Sequence, residues 1–239
     1  IVFNSLRGAD LFRERTNAHE KVISILNGID LNGFSTIEPD SIYKSFGIAE
    51  ESKVFLLPAR IYPDKGHHLL IKAIAKITAK YPQIHVVFLG DEDRCFKGIK
   101  EEYKLLAKSL CVDTKITWIN FQKEVVPFFK NAYCVVLPSY TEGCPRVLLE
   151  ALAAGTPILG SKIDGINEII EEGVNGFGFV SDDSESLSQA IEKIINLDQQ
   201  CYQNMKTNCL RLARQRYDIK DMIDKYQKLY FDLIESKKK

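Results

Sequence analysis

The chain carries no net charge: 32 Lys and Arg balance 32 Asp and Glu. It therefore lacks the broad basic field by which proteins hold nucleic acid. No apolar run approaches the roughly 18 residues that span a bilayer, and no secretory leader is visible. The six cysteines lie at positions 95, 111, 134, 144, 201 and 209. No two have Cys-x-x-Cys spacing, so neither a zinc site nor a disulfide framework is indicated. Reduced thiols in a cytosolic protein are the reading that remains. The four His include no His-Glu-x-x-His arrangement, and His67 and His68, at a helix start, read as surface residues. There is no Gly-x4-Gly-Lys-Ser/Thr loop, which excludes a P-loop nucleotidase. Gly173, Gly176 and Gly178 come too late in the chain for the dinucleotide fingerprint. An initiating Met is also missing. Ile1-Val2-Phe3-Asn4-Ser5 reads as the tail of a strand, and the sequence as a fragment.

What is present is an alternation of strand and helix signals from about residue 53. Apolar runs at 53–59, 84–89, 116–119, 133–137, 157–161 and 176–180 predict six short strands. Helical patterns fall at 66–80, 99–110, 125–131, 145–154, 166–171 and 184–197, the last capped by Asp183 or Ser184. Uniformly apolar strands separated by helices predict an α/β fold. Its core is a Rossmann-like, doubly wound, six-stranded parallel sheet covered on both faces. Residues 1–34 read as a strand tail, a polar helix, a strand at 22–26 and an Asn27-Gly28 turn. Residues 219–234 read as an amphipathic helix that needs a docking surface. Lys237-Lys238-Lys239 reads as a solvated tail.

Sheets of this kind bind ligands beyond the carboxyl ends of their strands. Three loops lie there. Glu142-Gly143-Cys144-Pro145-Arg146-Val147-Leu148-Leu149-Glu150 puts one carboxylate in a loop and a second on a buried helix. Between them, Gly143 and a helix-starting Pro145 expose backbone N–H groups. Such amides face an anion, and carboxylates accept hydrogen bonds from hydroxyls, which suits a sugar nucleotide. Arg60 and Lys65, on the loop after the first of these strands, would grip a diphosphate. Asp91-Glu92-Asp93 has the Asp-x-Asp form of a divalent-metal and nucleotide site. The plainer alternatives are a solvated basic loop, a solvated acidic loop, Glu142 in water and Glu150 in a structural ion pair. Cys144 reads as a packing residue, with no His nearby in sequence to activate it.

Taken in order, these pieces resemble the family-4 retaining glycosyltransferases. The likeness rests on Arg60 and Lys65, Glu142 to Glu150, Ala151 to Pro157, Asp164-Gly165-x-x-Glu168 and Gly173-x-x-Gly176. Asn27-Gly28-Ile29-Asp30 with Phe34 is similar to that family's interdomain linker. The resemblance implies a two-domain GT-B architecture. Residues 1–36 would be a remnant of the N-terminal acceptor domain with the linker, 37–218 the nucleotide-sugar donor domain, and 219–239 the crossover helix and basic tail.

The resemblance also implies roles. Arg60 and Lys65 would bind the donor diphosphate and stabilise the leaving nucleotide, with no metal or other cofactor. Glu142 would contact the donor sugar, with Gly143, Cys144 and Pro145 on its hydroxyls. Arg146 and Val147 would offer N–H groups to phosphate, and Glu150 would accept from the ribose. Trp118, Ile119, Asn120 and Phe121 would hold the base. Cys144 stands where Phe or Leu is common, Asn120 where Gly is usual, and Leu26 in place of the linker Pro. The family's catalytic His belongs to the N-terminal domain, so this chain is expected to bind donor without efficient transfer. A hexose would pass from a nucleoside diphosphate sugar, a UDP-sugar by default, to a glycan or lipid-linked acceptor in surface polysaccharide biosynthesis. The setting would be cytoplasmic, at the inner face of the membrane. A non-enzymatic nucleotide-sugar module and a metal-dependent transferase using Asp91 and Asp93 remain as alternatives.

Overall fold

The computed structural model describes residues 1–16, 22–35 and 42–236. The expected boundary at residues 36 and 37 and the triple-Lys tail lie outside that range. A six-stranded, all-parallel sheet forms the centre, with strands β3 (Lys53–Pro58), β4 (Ile84–Leu89), β5 (Ile116–Ile119), β6 (Cys134–Leu137), β7 (Ile158–Ser161) and β8 (Gly176–Phe179). Its spatial order is β5-β4-β3-β6-β7-β8. The chain enters at β3, winds outward to β5, then returns to β6 and winds the other way. The direction therefore reverses between β3 and β6, and the crevice for ligands opens beyond their carboxyl ends. A separate two-stranded parallel sheet joins β1 (Val2–Phe3) to β2 (Ile23–Ser24).

Alternation along the strands sends side chains to two cores. Phe55, Leu57, Val86, Phe88 and Val136 point into one. It is covered by α3 (His67–Ile77), α4 (Ile99–Ser109) and α8 (Ser184–Ile195). Leu56, Val87, Leu89, Val135 and Leu137 point into the other, under α5 (Val126–Asn131), α6 (Arg146–Ala153) and α9 (Gln199–Arg216). Among the described residues the other α-helices are α1 (Leu6–Arg15), α2 (Asn32–Ser35), α7 (Asp164–Asn167) and α10 (Ile219–Ser236). Asp183 caps α8, accepting from the Glu185 and Ser186 amides.

The structure adjusts several expectations. Pro145 is extended, at φ −70° and ψ 110°, and stands at the residue before α6 rather than starting it. The short helix expected over 166–171 begins at Asp164 and stops at Asn167. His67 is fully buried, because α3 turns that side toward Phe88 and Tyr103. Helix α9 is new. Its inward face is Met205, Cys209, Leu212 and Ala213, small or soft residues that carry little hydrophobic signal among many polar neighbours. Helix α10 forms as expected, and none of its residues is buried. Among the described residues, no helix is long and apolar enough to cross a membrane.

Candidate nucleotide-sugar site

The loop after β3 is fixed by its own turn and by the loop after β6. Pro63–Lys65 makes one 3-10 turn that ends on Gly66, whose φ of +67° favours glycine. A Cβ on Gly66 would also run into the Pro138 carbonyl, so only glycine lets the two loops touch. The Tyr140 amide then donates to the Asp64 carbonyl at 2.9 Å, and the Thr141 hydroxyl to the Asp64 carboxylate at 2.6 Å. A second tether holds Tyr140, whose hydroxyl donates to Asp182 at 2.8 Å and lies 3.0 Å from the His68 ring.

This stitching brings Lys65 and Glu142 together. Lys65 Nζ donates to Glu142 Oε1 at 2.6 Å, and Ser139 Oγ donates to the same oxygen at 2.8 Å. Only 25% of the Lys65 side chain and 13% of the Glu142 side chain are exposed. The 142–145 loop rests on the start of α7, where Gly165 packs against the Glu142 and Gly143 carbonyls with no room for a side chain. Asn27 Nδ2 donates to the Cys144 carbonyl at 3.3 Å. Burial pushes the Cys144 thiol up, which keeps it protonated and unreactive. Beside α7, Glu168 accepts from Ser5 Oγ and from the Leu6 and Arg7 amides at 2.7–2.8 Å, capping α1 across some 160 residues of chain.

A cavity of about 640 Å³ opens next to this loop, beyond the ends of β3 and β4. Arg60, Asp93 and Arg94 form a charged side, and Phe121, Val125 and Phe129 an apolar one. Val147 and Glu150 of α6 close it. Among the described residues, the Arg146 and Val147 amides have no acceptor, because Pro145 offers no side-chain cap. The positive end of α6 therefore stays open. Nor does any described residue hydrogen-bond the Glu150 carboxylate. Burial raises its pKa, and the nearby Arg146 charge only partly offsets that. An unpartnered carboxylate beside free amides, facing an apolar slot, is equipped to take a ligand with hydroxyls, an anionic group and a flat ring.

The structure gathers Arg60, Phe121, Val147 and Glu150 on the cavity, with Lys65, Glu142, Gly143, Cys144, Pro145 and Arg146 on the adjoining loop and helix start. Trp118 and Ile119 do not join them. Trp118 packs on Phe88 with centroids 4.5 Å apart, and Ile119 is buried. Asn120 instead accepts from Lys100 Nζ at 3.0 Å. The acidic loop is also engaged. Asp91 accepts from the Phe121 amide at 3.0 Å, and Asp93 pairs with Arg60 Nη1 at 2.7 Å. Sequence reasoning missed Ser139, although it stands three residues before Glu142. It also missed the apolar wall of Val125 and Phe129, which looked like ordinary helix packing.

Sheet order, the crevice at the β3–β6 reversal and the open helix start together define a ligand site of the doubly wound α/β class. Comparison with known proteins makes that class specific. Residues 40–211 match the family described as Glycosyl transferases group 1, and the chain belongs to that family. Its fold is that of the C-terminal half of GT-B glycosyltransferases. It is similar to the lipopolysaccharide 1,2-N-acetylglucosaminetransferase of Salmonella typhimurium, with 33% identity over 63% of this chain and 41% of that protein. It is also similar to the UDP-Gal:alpha-D-GlcNAc-diphosphoundecaprenol alpha-1,3-galactosyltransferase of Escherichia coli, with 26% identity over 91% of this chain and 56% of that one. Among solved structures, Anabaena Alr3699/HepE in complex with UDP and glucose superposes with a TM-score of 0.89 at 25% identity. That match covers 97% of this chain and 62% of the other. The chain spans about half the length of the curated relatives it matches.

Proposed function

We propose that this chain is the donor-binding part of a retaining glycosyltransferase. The whole protein moves a hexose from a nucleoside diphosphate sugar, a UDP-sugar before others, to a glycan or lipid-linked acceptor in surface polysaccharide biosynthesis. The observation that carries this reading is Glu150, a half-buried carboxylate without a hydrogen-bond partner, set one turn inside an uncapped helix that faces the cavity. A ribose diol satisfies the carboxylate, the helix amides take the diphosphate, and the Phe121, Val125 and Phe129 side receives the base. Arg60 and Lys65 supply positive charge where the leaving nucleotide gains negative charge, which stabilises departure without a metal. Glu142, held by Lys65 and Ser139, faces the sugar, with the Gly143 and Cys144 amides on its hydroxyls. UDP and glucose in the Anabaena neighbour, and the UDP-Gal donor and lipid-linked acceptor named for the Escherichia coli relative, support the choice of donor and acceptor. In this reading the chain alone binds donor, and transfer requires the N-terminal domain.

A thermal-shift panel of UDP-, GDP- and ADP-sugars, repeated with EDTA, tests it. Stabilisation by a UDP-sugar that survives EDTA is the expected result. No shift with any of the three nucleotides would sink the reading, and loss of the shift in EDTA would move the site to Asp91 and Asp93.

A further inference from the structure

The Arg60–Asp93 pair is built unequally. Asp93 is fixed from three directions. The backbones of 61 and 92 continue the β3–β4 pairing as an isolated parallel bridge, with the Ile61 amide on the Asp91 carbonyl at 2.9 Å and the Asp93 amide on the Ile61 carbonyl at 3.1 Å. Asp93 Oδ1 accepts from the Cys95 amide at 2.9 Å. Its other oxygen, Oδ2, takes Arg60 Nη1 at 2.7 Å. The Asp93 side chain is 13% exposed, whereas that of Arg60 is 76% exposed. The carboxylate is thus a fixed post on the cavity wall, and the guanidinium is the partner able to change hands. Among the described residues its acidic neighbours make other contacts and neither is paired with that arginine: Asp91 accepts from the Phe121 amide and Glu92 from the Lys100 amide.

We propose that Asp93 sets donor affinity by competing with the diphosphate for Arg60. The idea rests on the donor-site reading above. A diphosphate that draws Arg60 from Asp93 breaks that pair and then lies near a carboxylate that has lost its counter-charge and keeps one N–H donor among the described residues. Both effects oppose binding of the nucleotide and hasten its release. Neither touches the nucleoside, which meets the apolar side and Glu150. Asp93 is therefore a tuning residue for the anionic part of the ligand. Asp-x-Asp in this chain serves as a brake on phosphate binding instead of a metal ligand.

The test is calorimetric titration of the chain with UDP and with uridine, in magnesium and in EDTA. Asp93→Asn is the main variant. Asp93→Ser is the second, because its hydroxyl can still accept from the Cys95 amide and hold the loop. Thermal melting confirms that both are folded. The expected result is a UDP dissociation constant lowered about two- to fivefold, the range open to a partly exposed ion pair, with uridine unchanged. Arg60→Ala, run in parallel, weakens UDP and spares uridine. If Arg60→Ala behaves so while both Asp93 variants leave UDP unchanged or weaken it, the competition is refuted and the donor site stands. Weakening confined to magnesium would make Asp93 a metal ligand and refute it equally. If Arg60→Ala affects UDP and uridine alike, or the chain binds no UDP, the donor-site reading fails and takes this proposal with it.

Discussion

Two cation–carboxylate pairs sit at one rim of the sheet, with acids equally sheltered and cations that are not. Lys65–Glu142 is withdrawn from water, shares Ser139 and ties two loops together. Arg60–Asp93 joins a fixed acid to an arginine that is mostly in solvent. A withdrawn pair is costly to break, because either partner left alone is a poorly solvated charge. A pair whose cation lies mostly in solvent contributes at most about 1 kcal/mol, and that cation exchanges partners freely. The first pair is therefore part of the scaffold of the site, and the second is a contact poised to be replaced. Distance alone, 2.6 against 2.7 Å, does not separate them.

The largest effect that would sharpen this contrast is expected from Lys65→Ala. It strands Glu142 beside the diphosphate position and should weaken UDP binding by about 3 kcal/mol, with a lower melting temperature. Arg60→Ala should leave the melting temperature nearly unchanged. Equal losses of thermal stability in the two variants would erase the distinction.

Glu150→Gln comes next. This third carboxylate has no cation bonded to it. The variant should weaken nucleotide binding by about 2 kcal/mol in calorimetry. Its effect on the unliganded chain has the opposite sign. Burial raises the folded-state pKa, so the folded protein holds the proton more tightly than the unfolded chain. Stability is then full below the ordinary Glu range and declines as pH rises through the raised value. Removing the charge should stabilise the ligand-free protein at neutral pH. A variant that loses both affinity and stability would mean that Glu150 is held by partners inside the protein.

The smallest effect is expected at His67, which lacks partners for a different reason. Both ring nitrogens are buried without hydrogen bonds, and the ring lies between Phe88 and Tyr103 away from the cavity lining. Burial, with the His68 and Lys65 charges, pulls its pKa down to about 3. As pH falls from about 6.5 the unfolded chain gains the proton first, so stability drains between there and about 3. His67→Leu should stabilise by about 1 kcal/mol in chemical denaturation, more at pH 5 than at pH 8, without changing UDP affinity. A drop in affinity would tie His67 to the site.

Much of the fold could be read from residue patterns. Phe55, Leu56 and Leu57 are apolar on successive positions because the sheet is buried on both faces, and that alone predicts a covered parallel sheet. Gly155 and Pro157 bracket α6 and β7 as chain punctuation should. Helix α9 escaped because Cys209 and Ala213 scarcely register as a hydrophobic face. At the site, Glu142, Glu150, Arg60 and Lys65 stood out because each follows a strand or opens a helix. Their pairings did not. Arg60 and Asp93 are 33 positions apart, and Lys65 and Glu142 are 77 apart. Only folding the three loops after β3, β4 and β6 onto one edge makes them neighbours. Of the four residues assigned to a base by analogy with relatives, Phe121 lines the cavity, while Trp118 packs on Phe88, a matter of local side-chain volume.

The Glu168 carboxylate has a practical bearing on how the protein is trimmed. A version cut to the family-matched stretch 40–211 would discard Ser5, Leu6 and Arg7, the three donors that occupy Glu168, and with them Asn27, which steadies Cys144. It would also end one residue short of Leu212 and Ala213, both buried under α6. The region that sequence similarity outlines is thus smaller than the unit that holds the 142–145 loop in shape.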